Sequence, residues 1–121
     1  MFFRLSYRHI IYRKNMAAHV GITRSDVDGI ATFTFLDQLE MQNYEESFAP
    51  LYRATKEVGG IRGIILNLSN LTYINSTGIG FIASLYSDCE AAGKTMQLTG
   101  ICEDVGDAIS ITGLGEIVPI I

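Results

Sequence analysis

Hydrophobic residues change period along this chain, and each change marks a predicted element. Val20 and Ile22 alternate with polar neighbours, as in a strand. Asp26-Val27-Asp28-Gly29 reads as a turn, with Gly29 free to take a positive φ. Ala31, Phe33 and Phe35 then alternate with Thr32 and Thr34, a period-two pattern rich in aromatic and β-branched residues. From Asn43 the spacing becomes helical: Tyr44, Phe48, Leu51, Tyr52, Thr55 and Val58 share a face. Asn43 and Glu46 have the form of a capping box, and Gly59-Gly60 ends the run. Ile64, Ile65, Leu66 and Leu68 read as a short strand buried on both faces.

The loop Ser69 to Asn75 leads to a second helix starting near Ser76. Ile79, Ile82, Leu85, Tyr86, Cys89 and Ala92 line its apolar face, and Gly93 stops it. Met96 and Leu98 mark another strand. A third helix covers about Glu103 to Thr112, with Val105, Ala108 and Ile109 inward and Gly113 as its stop. The last predicted strand is Ile117 to Ile121, held to a sheet edge because Pro119 donates no ladder bond. The order β-β-α-β-α-β-α-β implies a single α/β domain with right-handed crossovers. Its sheet is mixed and mostly parallel, with an opening β-hairpin and helices mainly on one face.

One stretch carries candidate chemistry: Ile64 to Gly80, IILNLSNLTYINSTGIG. It places Asn75-Ser76-Thr77-Gly78 at a helix start, where two hydroxyls meet unpaired backbone N–H groups at the positive end of the helix dipole. Two uses are open. Ser76 or Thr77 is an N-cap contributing about 1 kcal/mol. Or an exposed hydroxyl accepts a phosphoryl group, adding roughly −1.5 to −2 charges that a helix N-terminus tolerates.

The same stretch resembles the sulfate transporter and anti-sigma factor antagonist (STAS) domain. That family shows an apolar strand, a short loop, then Asp-Ser-Ser/Thr-Gly-Leu-Gly; here Asn75-Ser76-Thr77-Gly78-Ile79-Gly80 stands in its place. The resemblance continues in Ala92-Gly93-Lys94 and in Ile111-Thr112-Gly113-Leu114, covering about Val20 to Ile121. It implies partner switching. An antagonist of this type sequesters an anti-sigma factor that is also an ATP-using serine kinase; the kinase phosphorylates the antagonist, and a phosphatase restores it. Carried over by residue, the phosphoacceptor is Ser76, with Thr77 as the alternative, and the partner surface is Asp37, Asn75, Ser76, Thr77, Gly78 and Ile79. The chain is then a substrate, not an enzyme, and needs no cofactor. The second reading is an adaptor that is not phosphorylated and braces an ATPase in a signalling or lipid-transport complex.

The chain departs from the family pattern in three places. Asn75 replaces Asp, which keeps the turn hydrogen bonds and loses the charge. Leu36-Asp37-Gln38-Leu39-Glu40 replaces the usual Gly-Glu-Leu-Asp. The chain stops after the last strand, where the family often adds a closing helix, and the expectation is a bare apolar strip that favours a homodimer.

Composition narrows the remaining possibilities. The chain has 121 residues, 48% hydrophobic and 18% charged, enough for one globular core. Four of nine Lys/Arg precede Met16; the remainder carries five against thirteen Asp/Glu, a balance of −8. Such an acidic domain repels nucleic acid. Residues 1–15 form a basic leader ahead of the 16–121 domain, read either as a flexible segment able to touch anionic surfaces or as an overextended start with Met16 as initiator. Apolar runs are too short to insert in a membrane and no signal peptide is evident, so the expected location is the cytoplasm. His9 and His19 lie in no ligand cluster. Cys89 belongs to a helix's apolar face, and Cys102 has no histidine partner.

Overall fold

The computed structural model describes the backbone of residues 8–13 and the whole of residues 21–39 and 44–121. Among the described residues the strands are β1 (Arg8–Arg13), β2 (Gly21–Val27), β3 (Ile30–Phe35), β4 (Gly63–Asn67) and β5 (Thr95–Thr99). They lie side by side in sequence order. β1–β2 and β2–β3 pair antiparallel; β3–β4 and β4–β5 pair parallel. Three helices connect or follow the parallel strands: α1 (Tyr44–Thr55), α2 (Ser76–Ala91) and α3 (Glu103–Thr112).

Period-two patterning puts all three helices on one side. Ile22, Ala31, Phe33, Phe35, Ile64, Leu66, Met96 and Leu98 are buried toward the helices, while Thr23, Thr32, Thr34, Ile65 and Gln97 point the other way and are half-buried. Ile64 to Leu68 was expected to be covered on both faces. Ile65 corrects this: it is half-buried, and among the described residues no helix packs on the second face, so β4 alternates although its pairing is parallel. The β2–β3 hairpin turns on Asp28 and Gly29, at φ 53° and 82°. Positive φ at both central residues is what a two-residue type I′ hairpin turn requires, and Asp-Gly supplies it at low strain.

Other boundaries also differ from expectation. β1 lies within the basic leader, where periodicity marked no element; its backbone pairs with β2 from Arg8↔Asp26 to Arg13↔Gly21. Val20, Glu40 and Asn43, with its predicted capping box, lie outside the described residues. α1 stops at Thr55 instead of reaching Val58, which is 98% exposed. Lys56 and Glu57 bond back three residues to Arg53 and Ala54, tightening the last turn. Ala92 caps α2 in solvent and does not extend its buried face. The expected strand Ile117 to Ile121 contracts to one parallel bridge, Leu98↔Ile120, because a 3₁₀ turn over Leu114–Glu116 occupies its approach. Pro119 still bonds β5 through its carbonyl, accepting from Leu98 N–H at 2.9 Å.

The end of the domain where β4 and β5 begin is tied by ions. Arg24, 1% exposed, donates to both oxygens of Asp26 at 2.8 and 2.9 Å and to both oxygens of Glu57 just beyond α1. Its guanidinium lies 5.6 Å from the Phe33 ring centre. The Glu57 bonds, then those to Asp26, hold Arg24 above its ordinary pKa despite burial. Lys94 donates to the carbonyls of Ala54, Thr55 and Glu57, satisfying the C-terminus of α1. The lysine of Ala92-Gly93-Lys94 therefore acts as a clasp between α1 and the α2–β5 connection.

Two predictions follow from this packing. Arg24→Leu leaves the buried carboxylate of Asp26 uncompensated and lowers unfolding stability by about 3–5 kcal/mol, measured by urea denaturation; replacing Arg24, Asp26 and Glu57 together by apolar residues recovers most of the loss. The Cys89 thiol is fully buried, and that burial pushes its pKa from 9.0 up to about 11. The folded state therefore keeps a proton that the unfolded chain releases first, and stability falls as pH rises from about 9 toward 11. The urea midpoint of the wild type should fall across that window more steeply than that of Cys89→Ala.

Candidate functional site

Because β3, β4 and β5 are parallel, the segments that leave them gather at one end of the sheet. The loop after β4 is anchored by Leu71 and Ile74, both buried, while Thr72 and Tyr73 face solvent. The segment after β3 is stitched to it. Gln38 donates to the Asn70 carbonyl at 2.6 Å and accepts from the Thr72 N–H at 3.0 Å; Asn70 donates to the Phe35 carbonyl at 3.0 Å. From the β5 side, the Cys102 thiol lies 3.4 Å from the Leu71 carbonyl. Exposed Asp37 is thereby carried beside the Asn70–Thr72 loop.

α2 starts where this loop ends. Asn75 is the N-cap in extended conformation, and its Oδ1 accepts from the Gly78 N–H at 3.0 Å. The same oxygen accepts from the Tyr44 hydroxyl at 2.8 Å. Tyr44 is the first residue of α1 and is 1% exposed. Burial raises its pKa, so the phenol keeps the proton it donates. Its ring stacks on Phe81 at 5.6 Å, and Phe81 meets Phe48 at 5.2 Å. One buried aromatic cluster therefore fixes the starts of both helices.

The cap belongs to Asn75, so Ser76 is spared that duty. Ser76 is the first helical residue and is exposed; Thr77 is half-buried. Gly78 and Ile79 are buried, so what they offer a partner is indirect, through the shape they give the helix start. At Gly78 a Cβ would lie 2.6 Å from the Tyr44 hydroxyl oxygen and 2.7 Å from Ile74 Cγ1. Glycine is required there by close approach. Gly80 differs: it is exposed, helical, and a Cβ on it meets nothing within 4 Å. Relative to Ala it costs the helix about 1 kcal/mol, with no packing reason. Tyr52, Thr77, Gly80, Phe81 and Ser84 line a groove of about 260 Å³ between α1 and α2.

Sequence periodicity placed Tyr44 on a helix face but missed its bond to Asn75. A buried tyrosine needs a partner for its hydroxyl, and that requirement was the available signal. Gln38 gave no signal, since its two bonds depend on a loop 32 to 34 residues away. Among the described residues, no three His, Cys, Asp or Glu side chains are grouped to hold a metal ion, and no helix is long and apolar enough to cross a membrane.

The family model described as the STAS domain matches residues 22–121, from β2 through the last bridge. The chain belongs to the STAS domain family. Solved structures share the fold. An anti-sigma factor antagonist from Mycobacterium paratuberculosis superposes with a TM-score of 0.74 at 14% identity, covering 88% of this chain and 89% of that one. The anti-sigma factor antagonist SpoIIAA in its unphosphorylated form gives 0.70 at 20% identity, covering 83% and 87%. The phosphorylated form of SpoIIAA, described as a Bacillus cell fate determinant, gives 0.64 at 19% identity, covering 83% and 90%. No curated protein matches this STAS chain in sequence.

The geometry at the helix start predicts an inversion of helix propensity. Gly78→Ala should lower stability by about 1–3 kcal/mol through overpacking against Tyr44 and Ile74, although Ala is the better helix former. Tyr44→Phe should cost about 0.5–1.5 kcal/mol by removing the hydroxyl from Asn75. Denaturant midpoints of the two variants check both values.

Proposed function

We propose that this STAS domain is a partner-switching anti-sigma factor antagonist that docks onto a kinase-type anti-sigma factor and is released when Ser76 is phosphorylated. The observation that carries this reading is an exposed Ser76 at the first position of α2, with the capping role already filled by Asn75. A phosphoryl group there meets the positive end of the helix dipole, so the fold accommodates the charge. Meanwhile the docking surface around Asp37, Asn75, Ser76 and Thr77 gains charge and a tightly held water shell, which weakens a close contact. Family membership supports the docking role, and SpoIIAA, a protein of this fold, is known in both unphosphorylated and phosphorylated forms.

The kinase supplies the catalytic groups in this scheme. The chain supplies an acceptor hydroxyl and a surface, and a phosphatase reverses the modification. The reading places the domain in the cytoplasm, with ATP and the sigma factor. Asn75 in place of Asp does not weaken it on structural grounds, because the amide oxygen makes the cap bond that a carboxylate would make.

Incubation with the anti-sigma factor kinase and ATP, followed by mass-spectrometric site mapping, tests the proposal. Phosphate should appear on Ser76, be lost in Ser76→Ala and persist in Thr77→Ala. Protein carrying phosphoserine at 76 should bind the kinase at least tenfold more weakly than unmodified protein. Equal phosphate incorporation by Ser76→Ala would refute the site, and equal binding by the phosphoserine form would refute the switch.

A further inference from the structure

The geometry points to the groove between α1 and α2 as the seat for one bulky apolar side chain of the protein partner, kept open by Gly80. This deepens the partner-switch reading and rests on it, since the occupant is the same partner whose release Ser76 controls. Three observations support it.

The first is the unforced glycine. Gly78 is compelled by Tyr44 and Ile74, whereas Gly80 has open space where its side chain would be and no positive φ. Helix stability alone would favour Ala at this position. The glycine leaves open space on the helix surface beside Tyr52 and Phe81.

The second is the chemistry of the walls. Tyr52 and Phe81 are its aromatic residues, with the Tyr52 hydroxyl donating to the Phe81 carbonyl at 3.4 Å, and Thr77 and Ser84 are its small ones. From Ser76 to Ser87 the helix carries no charged residue at all. An uncharged, aromatic-sided cleft matches an apolar anchor and offers an ionic group nothing. At about 260 Å³ and open to solvent, the groove falls short of the roughly 300–1,000 Å³ of small-molecule sites, and suits a single side chain.

The third is continuity with the modification site. Ser76 stands one turn before Gly80 on the same helix, at i and i+4, so a phosphoryl group on it is carried to the end of the groove that Thr77 lines. A hydrated dianion there must be stripped of water before an apolar side chain can seat, which opposes docking without moving any backbone. The groove would then be the part of the surface that the switch acts upon.

The test uses Gly80→Ala and Gly80→Leu in the full chain. Gly80→Ala should melt several degrees above wild type, and Gly80→Leu should melt cooperatively no lower than wild type. A clear loss of stability in Gly80→Ala would show that the fold itself needs the glycine and would overturn the proposal. Isoamyl alcohol and indole serve as probes for leucine-like and tryptophan-like side chains, followed by ¹H–¹⁵N chemical shifts. Shifts should centre on Tyr52, Thr77, Gly80, Phe81 and Ser84 in wild type and vanish in Gly80→Leu. Absent shifts, or shifts unchanged in Gly80→Leu, would overturn it whatever the kinase does.

Against the kinase that phosphorylates Ser76, Gly80→Leu should bind at least tenfold more weakly than wild type. Wild-type affinity in Gly80→Leu would remove the groove from the interface while leaving the Ser76 reading standing. A wild-type dimer that Gly80→Leu converts to monomer in sedimentation would assign the groove to a second copy of the chain and overturn the partner assignment.

Discussion

The two helices that frame the candidate surface begin at one shared atom. Oδ1 of Asn75 takes the Gly78 N–H and the Tyr44 hydroxyl together. The Tyr44 phenol then fills the space that a side chain at residue 78 would occupy. Without this contact α2 would lose its cap and α1 would lose the tie that sets its first turn. A recognition surface built from a loop and a helix end is ordinarily soft, because orphan N–H groups invite water and fraying. Here the softness is removed from beneath, by a buried aromatic, and Ser76 is left without a structural obligation. The Gln38 stitches do the same for the loop, fixing it to β3's exit.

The opposite end of the sheet is organised by different forces. Arg24, Asp26, Glu57 and Lys94 join β2, the end of α1 and the start of β5 through charge-assisted bonds. Such groups give direction and register at the expense of desolvation, and they suit a region that holds still. At the start of α2 the contacts are instead neutral amides, hydroxyls and rings. The Asn75-for-Asp replacement fits that arrangement, since it preserves the cap bond and removes a negative charge beside Ser76.

How much of this was legible in the sequence follows the range of the interactions. Period two in Ala31 to Phe35 and period 3.6 in Ile79 to Cys89 are local, and both elements stand where expected. Gly113 stops α3 at φ 79°, as its identity suggested. Failures occur where a distant neighbour decides. Val58 sits at helical spacing, yet the Lys94 clasp satisfies α1's final carbonyls before reaching it. β1 reads as a basic leader because its partner, β2, supplies the pairing that its own composition does not announce. The terminal segment is apolar enough for a strand, but the 3₁₀ turn at Leu114 leaves it only one bridge to make. At the site, helix start and hydroxyl exposure were local and readable; the Tyr44–Asn75 bond spans 31 residues and was not.

The two glycines of the motif show why a motif should be read one atom at a time. Gly78 and Gly80 are two residues apart on one helix and look equivalent in sequence. A methyl group at the first collides with a phenol oxygen at 2.6 Å; at the second it meets nothing. The first glycine is explained by the folded domain alone. The second is not, because the isolated domain would gain from its removal. That asymmetry separates the part of the motif that builds the helix start from the part that faces outward, and it does so without reference to any partner's identity.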